Sequence, residues 1–246
     1  MLERREHSDG AVTYHSPLLA EHRVPHAFTT RVGPDGKGFD PTAAGTPPLL
    51  CRVAEARAQH VTFGRQVHGS GVWLLDGDRA PREADALVSR QTDTLVAVVT
   101  ADCVPILMAD ESGDRVAAVH AGWRGLVAGV LPAALSALDS HRAVAAIGPC
   151  LSLERFEVGP EVALQFEQAG LGETVYTNFG PKPHIDLRSA AAIQLERAGV
   201  TRIDCSSRCT WDEPELYSYR RDVTHGGAPR TGRLAAVIGV RCRDRG

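Results

Sequence analysis

From Phe63 onward the chain carries two kinds of apolar pattern. Short β-branched or alanine-rich runs are too brief for helices and lack polar alternation: "TLVAVV" (94–99), "RVAAVHAG" (115–122), "AVAAIG" (143–148) and "RLAAVIGV" (233–240). They predict buried strands. Longer stretches space their apolar residues three and four apart, so "LVAGVLPAALSAL" (126–138), "VALQFEQAG" (162–170) and "IDLRSAAAIQLERAGV" (185–200) predict helices. The second ends at Gly170, and the third has Asp186 as an N-cap and Gly199 near its end. Strands interleaved with helices, free of repeats, predict an α/β or mixed α+β class.

Before Val61 the pattern is weaker. Residues 33–48, "GPDGKGFDPTAAGTPP", are too rich in Gly and Pro to propagate a helix or strand and predict a loop. "GPDGKG" is superficially like a phosphate loop but lacks the G-x-x-x-x-G-K-[ST] spacing. With 246 residues and 43% hydrophobic side chains, the chain suits one large domain or two small ones. No linker follows the N-terminal part, so one domain over 1–246 is expected, with 1–61 its loop-rich portion.

Charge narrows the partners. A formal net charge of -3, from 27 basic and 30 acidic residues, offers no overall attraction to nucleic acid or to an anionic membrane. A small, roughly neutral substrate is permitted, and a monomer is the expected state. The first ten residues, "MLERREHSDG", are polar, and no apolar run approaches the roughly 18 to 20 residues that span a bilayer. A cytoplasmic location is expected. The six cysteines are then reduced, and at least one is available for chemistry.

Three metal-capable side chains stand at predicted strand ends or in Gly-bounded turns: His68 in "RQVHGSGV", Cys103 in "TADCVP" and His120 in "AVHAGWRG". Their separations, 35 and 17 residues, are unlike a zinc finger or ribbon, and spacing alone decides nothing. His, Cys and His are nonetheless a ligand set for catalytic zinc with one open position. The set also suits trigonal copper with a long axial methionine, for which Met108 is near in sequence. Without a metal, Cys103 would be a nucleophile and His120 its base. Taken singly, a buried Cys is more often a small hydrophobe and a lone His a satisfied structural residue.

Several motifs occur in order: "QVHG" (66–69), "TADCVPIL" (100–107), "VHAGWRG" (119–125), "IGP" (147–149), "FEVG" (156–159), "HIDL" (184–187), "SYRRD" (218–222) and "TGR" (231–233). Together they resemble the laccase-domain family, formerly called bacterial polyphenol oxidases and now regarded as zinc-dependent purine nucleoside phosphorylases with adenosine deaminase activity. The resemblance spans about Phe28 to Val240. It implies a four-layer α/β/β/α sandwich related to the cytotoxic necrotizing factor catalytic domain. It implies His68, Cys103 and His120 as metal ligands, Zn2+ as the metal with Cu2+ the alternative, and purine nucleosides and phosphate as substrates.

On that resemblance Asp102 orients a ligand or handles protons, unless it caps local backbone amides. Arg124 receives an anion just ahead of a helix beginning near Leu126, or forms a buried ion pair. Arg220 and Arg221 offer the same chemistry, but neighbours on an extended segment point to opposite faces, so only one is expected in the site. Gln66 hydrogen-bonds base or ribose, or stabilises a turn. Trp123 reads as core, and Cys205 and Cys209 as ordinary thiols. Two departures from the family pattern stand out: the segment after "FTTR" (28–31) lacks the usual asparagine, and "VTHGGAPR" (223–230) separates "RRD" from "TGR", adding His225 as a lid or plain surface. Competing functions are copper-dependent phenol oxidation and cysteine-type amide hydrolysis of cell-wall precursors. No two of the ten histidines are two residues apart, unlike the His-x-His pairs of a true multicopper laccase.

Overall fold

The computed structural model describes residues 1–241 except 44, 76, 78, 79 and 141. Two six-stranded mixed sheets carry the architecture. The first runs in the order β1 (Glu3–Glu6), β2 (Val12–His15), β3 (His26–Thr29), β14 (Leu234–Gly239), β7 (Thr94–Thr100), β4 (His60–Phe63). The second runs β13 (Arg202–Cys205), β10 (Ala143–Ile147), β8 (Val104–Asp110), β9 (Val116–Ala121), β6 (Ala86–Ser89), β5 (Val72–Leu74). A short ribbon pairs β11 (Val175–Tyr176) with β12 (His184–Ile185). Within each six-stranded sheet most neighbours are antiparallel; β4 with β7, β10 with β13 and β5 with β6 are parallel.

The unbroken apolar strands are explained by burial on both faces. Val96 and Val98 of β7 and Ile238 of β14 share one core with Leu107 of β8, Ala118 of β9 and Val144 of β10, so the two sheets face each other. The intervening residues serve the outer faces. Ile106, Met108 and Val119 pack against α3 (Trp123–Val127), α4 (Val130–Leu138), α5 (Pro160–Gln168) and α6 (Leu187–Arg197). Leu95, Ala97 and Val237 pack against α2 (Pro47–Val53). The chain is therefore a mixed α/β protein, as its pattern predicts, and among the described residues no helix is long and apolar enough to cross a membrane.

Two local expectations need adjustment and a third holds. The stretch 126–138 is not one helix: Gly129 is left-handed at φ 77°, which breaks it into α3 and α4 and moves the start back to Trp123. Asp186 caps α6 as expected, accepting from the Ser189 N–H at 3.0 Å. The loop-rich N-terminal part supplies β1, β2, β3, α1 (Pro17–Glu21) and α2. Its four-residue strands were hidden because buried Thr13, His15 and His26 break the apolar pattern. Cys51, Cys103, Cys150, Cys205 and Cys209 are free thiols, and Cys242 lies outside the described residues.

Those histidines are held neutral. His26 accepts the Ser16 N–H on Nε2 at 2.7 Å, and its Nδ1 donates to the Val24 carbonyl at 2.8 Å, so a second ring proton would break a bond. Its ring lies 5.3 Å from that of His15. Burial pushes His15 down to about 3, with the neighbouring His26 adding to the effect. Burial likewise pushes His26 down to about 4, the Val24 carbonyl opposing it. Below pH about 6.5 the unfolded chain takes up protons that these buried rings refuse, so stability falls as the pH drops from there toward about 4. Urea unfolding should show a loss on the order of 2 kcal/mol per histidine between pH 7 and 5. A His26→Gln variant should flatten that slope.

Candidate active site

Cys103 is placed by a change of sheet. β7 ends at Thr100 in the first sheet and β8 begins at Val104 in the second, so residues 101–103 carry the chain across. Asp102 makes this turn at φ 100°, a strained value for a side-chain-bearing residue. Its carboxylate accepts the Thr210 hydroxyl and the Arg220 N–H, each at 2.6 Å, and its carbonyl accepts the Leu151 N–H. Asp102 therefore holds distant segments over the crossing rather than capping amides next to it.

His120 stands near the end of β9, paired with Pro105 of β8, beside the Cys103 turn. His68 lies in the turn after β4 and is itself left-handed, at φ 62°. A residue that sequence reasoning missed connects the two. Asp85 is fully buried, and its carboxylate accepts the N–H groups of Val67, His68 and Gly69 at 3.1, 2.9 and 2.8 Å. The same carboxylate accepts from His120 Nδ1 at 2.8 Å. That bond keeps a proton on Nδ1, so Nε2 is the nitrogen that serves as a ligand atom once its own proton is lost.

The ligand atoms of His68, Cys103 and His120 lie within 4.8 Å of one another, and the two imidazoles meet edge to face at 86°. This is the only such group among the described residues; Cys205 and Cys209 form no second one. Electrostatics agree with a ligand set. Burial raises the Cys103 thiol, but hydrogen bonds from His120 and His68 outweigh it and bring the group down to about 7. Burial lowers His120, yet Asp85 and Cys103 lift it to about 9. Burial also pushes the Asp85 carboxyl up, but His120 and the amides of Gly69 and Val67 hold it below its ordinary value.

Gly122 leaves room for an ion. A Cβ there would approach Cys103 Sγ to 3.1 Å and His68 Cδ2 to 3.2 Å, intruding on the space between the ligands. Two nitrogens and a thiolate suit zinc or copper, so the residues form a possible metal site. The axial methionine of a copper centre is not met by Met108. It lies five residues along β8, roughly 17 Å from Cys103, and is packed in the apolar core under the helices.

The three side chains line a cavity of about 560 Å³ whose wall also includes Gln66, Thr100, Asp102, Phe156, Tyr219, Arg220 and Arg233. Gln66 uses its amide like a strand residue, donating to the Val99 carbonyl and accepting the Val99 N–H, both at 2.7 Å. Arg220 lies over the Phe156 ring and donates to the Glu157 carbonyl. Arg221 is not among the lining residues; it is bonded to the carbonyls of Thr210, Trp211 and Leu216 and to Asp222. The two arginines part ways on a π-helical turn (Arg220–His225), not on the extended segment expected.

Arg124 is exposed against the half-buried Trp123, 4.4 Å from that ring, and does not line the cavity. His225 packs edge to face on Trp211, also outside the lining. The insertion 223–230 does not separate its flanking motifs, because the Thr231 hydroxyl donates to Asp222 at 2.6 Å.

Residues 46–241 match the family described as multi-copper polyphenol oxidoreductase laccase. The chain belongs to this family. It is 39% identical to a protein of Deinococcus radiodurans named purine nucleoside phosphorylase, over 93% of both chains. It is 40% identical to purine nucleoside phosphorylase YfiH of Escherichia coli, over 70% of this chain and 71% of that one. Among solved structures, a Neisseria meningitidis protein at 30% identity superposes with a TM-score of 0.74, covering 89% of this chain and 95% of that one. A Bacillus licheniformis YfiH protein shares the fold, with a TM-score of 0.80 at 21% identity, over 96% and 98% of the two chains.

Asp85→Asn should weaken zinc binding about 10- to 100-fold in a chelator competition, since it disturbs both the His120 proton and the His68 turn. Gly122→Ala should also weaken it while far-UV circular dichroism stays unchanged. Because Cys103 and His120 must lose protons to bind, affinity should rise with pH and level off above about 9.

Proposed function

We propose that this chain is a zinc-dependent purine nucleoside phosphorylase. The convergence of His68, Cys103 and His120 in the wall of one cavity carries the reading. The relatives named purine nucleoside phosphorylase, at 39% and 40% identity, support it. When bound, zinc supplies Lewis acidity at these ligands. The remaining groups are the protein's own. Phe156 and the half-exposed Tyr219 offer aromatic faces for a purine, Arg220 a cation beside them, and Gln66 the remaining hydrogen-bonding capacity of its amide. Asp102 positions this lining through its bond to the Arg220 backbone.

In the reaction a phosphate oxygen forms a bond to C1′ of the ribose as the C1′–N9 bond breaks. The electron pair leaves with the purine, which takes up a proton, and ribose-1-phosphate is released. Adenosine deamination, with water displacing ammonia at C6, is a second activity of the same cavity in this reading. The finer fold reading, a four-layer sandwich akin to the cytotoxic necrotizing factor catalytic domain, draws support from two facing sheets with helices outside. We also read the chain as one domain, acting as a monomer in the cytoplasm, where its free thiols stay reduced.

The low Cys103 group beside His120 also favours a second reading, a cysteine nucleophile acting on amides. Zinc-loaded protein given inosine and phosphate should form ribose-1-phosphate, with Cys103→Ala or chelation abolishing product. Amide hydrolysis that survives complete metal removal, with no ribose-1-phosphate formed, would decide for the alternative.

A further inference from the structure

The arginines of this region differ in what occupies them. Arg221 is bonded to backbone carbonyls and to Asp222, Arg124 is exposed against Trp123, and Arg220 reaches the Glu157 carbonyl. Arg233 lines the cavity half-buried, and its recorded bonds run from one terminal nitrogen to the carbonyls of Thr231 and Gly232, at 3.3 and 3.2 Å. Among the described residues it has no carboxylate partner. Most of its five-donor fork is therefore available to an acceptor in the cavity.

A second observation concerns the same cavity. Thr100 lines the cavity, is 3% exposed, and its buried hydroxyl has no hydrogen-bond partner. Buried hydroxyls are ordinarily paired, so this one calls for a partner that arrives from outside the chain. Thr100 ends β7 and pairs with Leu234, the residue after Arg233. A guanidinium without a carboxylate partner and an orphaned hydroxyl thus belong to the lining of one cavity, at the end of the β7–β14 pair from which the chain crosses to Cys103.

We propose that Arg233, with Thr100 in the lining of the same cavity, is the subsite that receives inorganic phosphate. The assignment rests on the phosphorylase reading for its substrate, but the binding it asserts is measurable without turnover. Guanidinium and hydroxyl donors match a tetrahedral oxyanion, whereas the aromatic groups Phe156 and Tyr219 match the base.

Calorimetric titration of inorganic phosphate into zinc-loaded wild type, Arg233→Met and Arg233→Lys is the test. Wild type should bind, Arg233→Met should bind about tenfold more weakly or worse, and Arg233→Lys should recover part of the loss as a point charge without the fork. Thr100→Val should give a smaller loss. In steady-state phosphorolysis of inosine, Arg233→Met should raise the KM for phosphate about tenfold and leave the KM for inosine and the zinc content within about twofold. Phosphate binding equally tight in wild type and Arg233→Met, or absent from wild type, overturns the proposal. Phosphate binding that depends on Arg233 without any ribose-1-phosphate sustains the subsite and sinks the phosphorylase reading instead.

Discussion

One buried carboxylate organises the site. Asp85 accepts three consecutive backbone N–H groups of residues 67–69 and the Nδ1 proton of His120. A fully buried charge is tolerable only when so completely hydrogen-bonded. The same arrangement keeps His68 in its left-handed turn and fixes which His120 nitrogen faces Cys103. Two of the three candidate ligands are thus set by a residue outside the trio.

The third candidate ligand follows from topology. Crossing from one sheet to the other in three residues forces a tight turn, and Cys103 stands at its end, where β8 begins beside β9. The strain at Asp102 is offset by bonds to Thr210 and Arg220, which draw the 218–225 segment over the cavity. Asp222 then holds Thr231, which brings "TGR" and Arg233 to the same wall. The site is a set of backbone positions locked together by carboxylates, with the reactive side chains mounted on them.

The family's description speaks of several coppers, and this chain's chemistry does not. Among the described residues one three-ligand group exists, without a nearby methionine, and the sequence has no His-x-His pair. The donor set suits a single ion with an open position, whether zinc or copper.

Much of this was legible without coordinates. Four apolar runs became β7, β9, β10 and β14 because doubly buried strands need no polar face, and the caps at Asp186 and Gly199 follow from local backbone chemistry. His68, Cys103 and His120 were visible as residue types. What sequence did not disclose is whatever depends on contacts between remote segments. Asp85 looks like any acid opening a strand until His120 and the 67–69 turn fold onto it. Arg124, Arg220, Arg221 and Arg233 look alike until packing turns Arg124 outward, binds Arg221 to carbonyls and Asp222, and sets Arg220 and Arg233 in the cavity wall. Residue type and periodicity are local properties carried along the chain, so they determined the strands, the helices and the candidate ligands. Burial and hydrogen-bond partnership are pairwise properties in space, so the orientation of those ligands and the choice among cations were decided only by the tertiary structure.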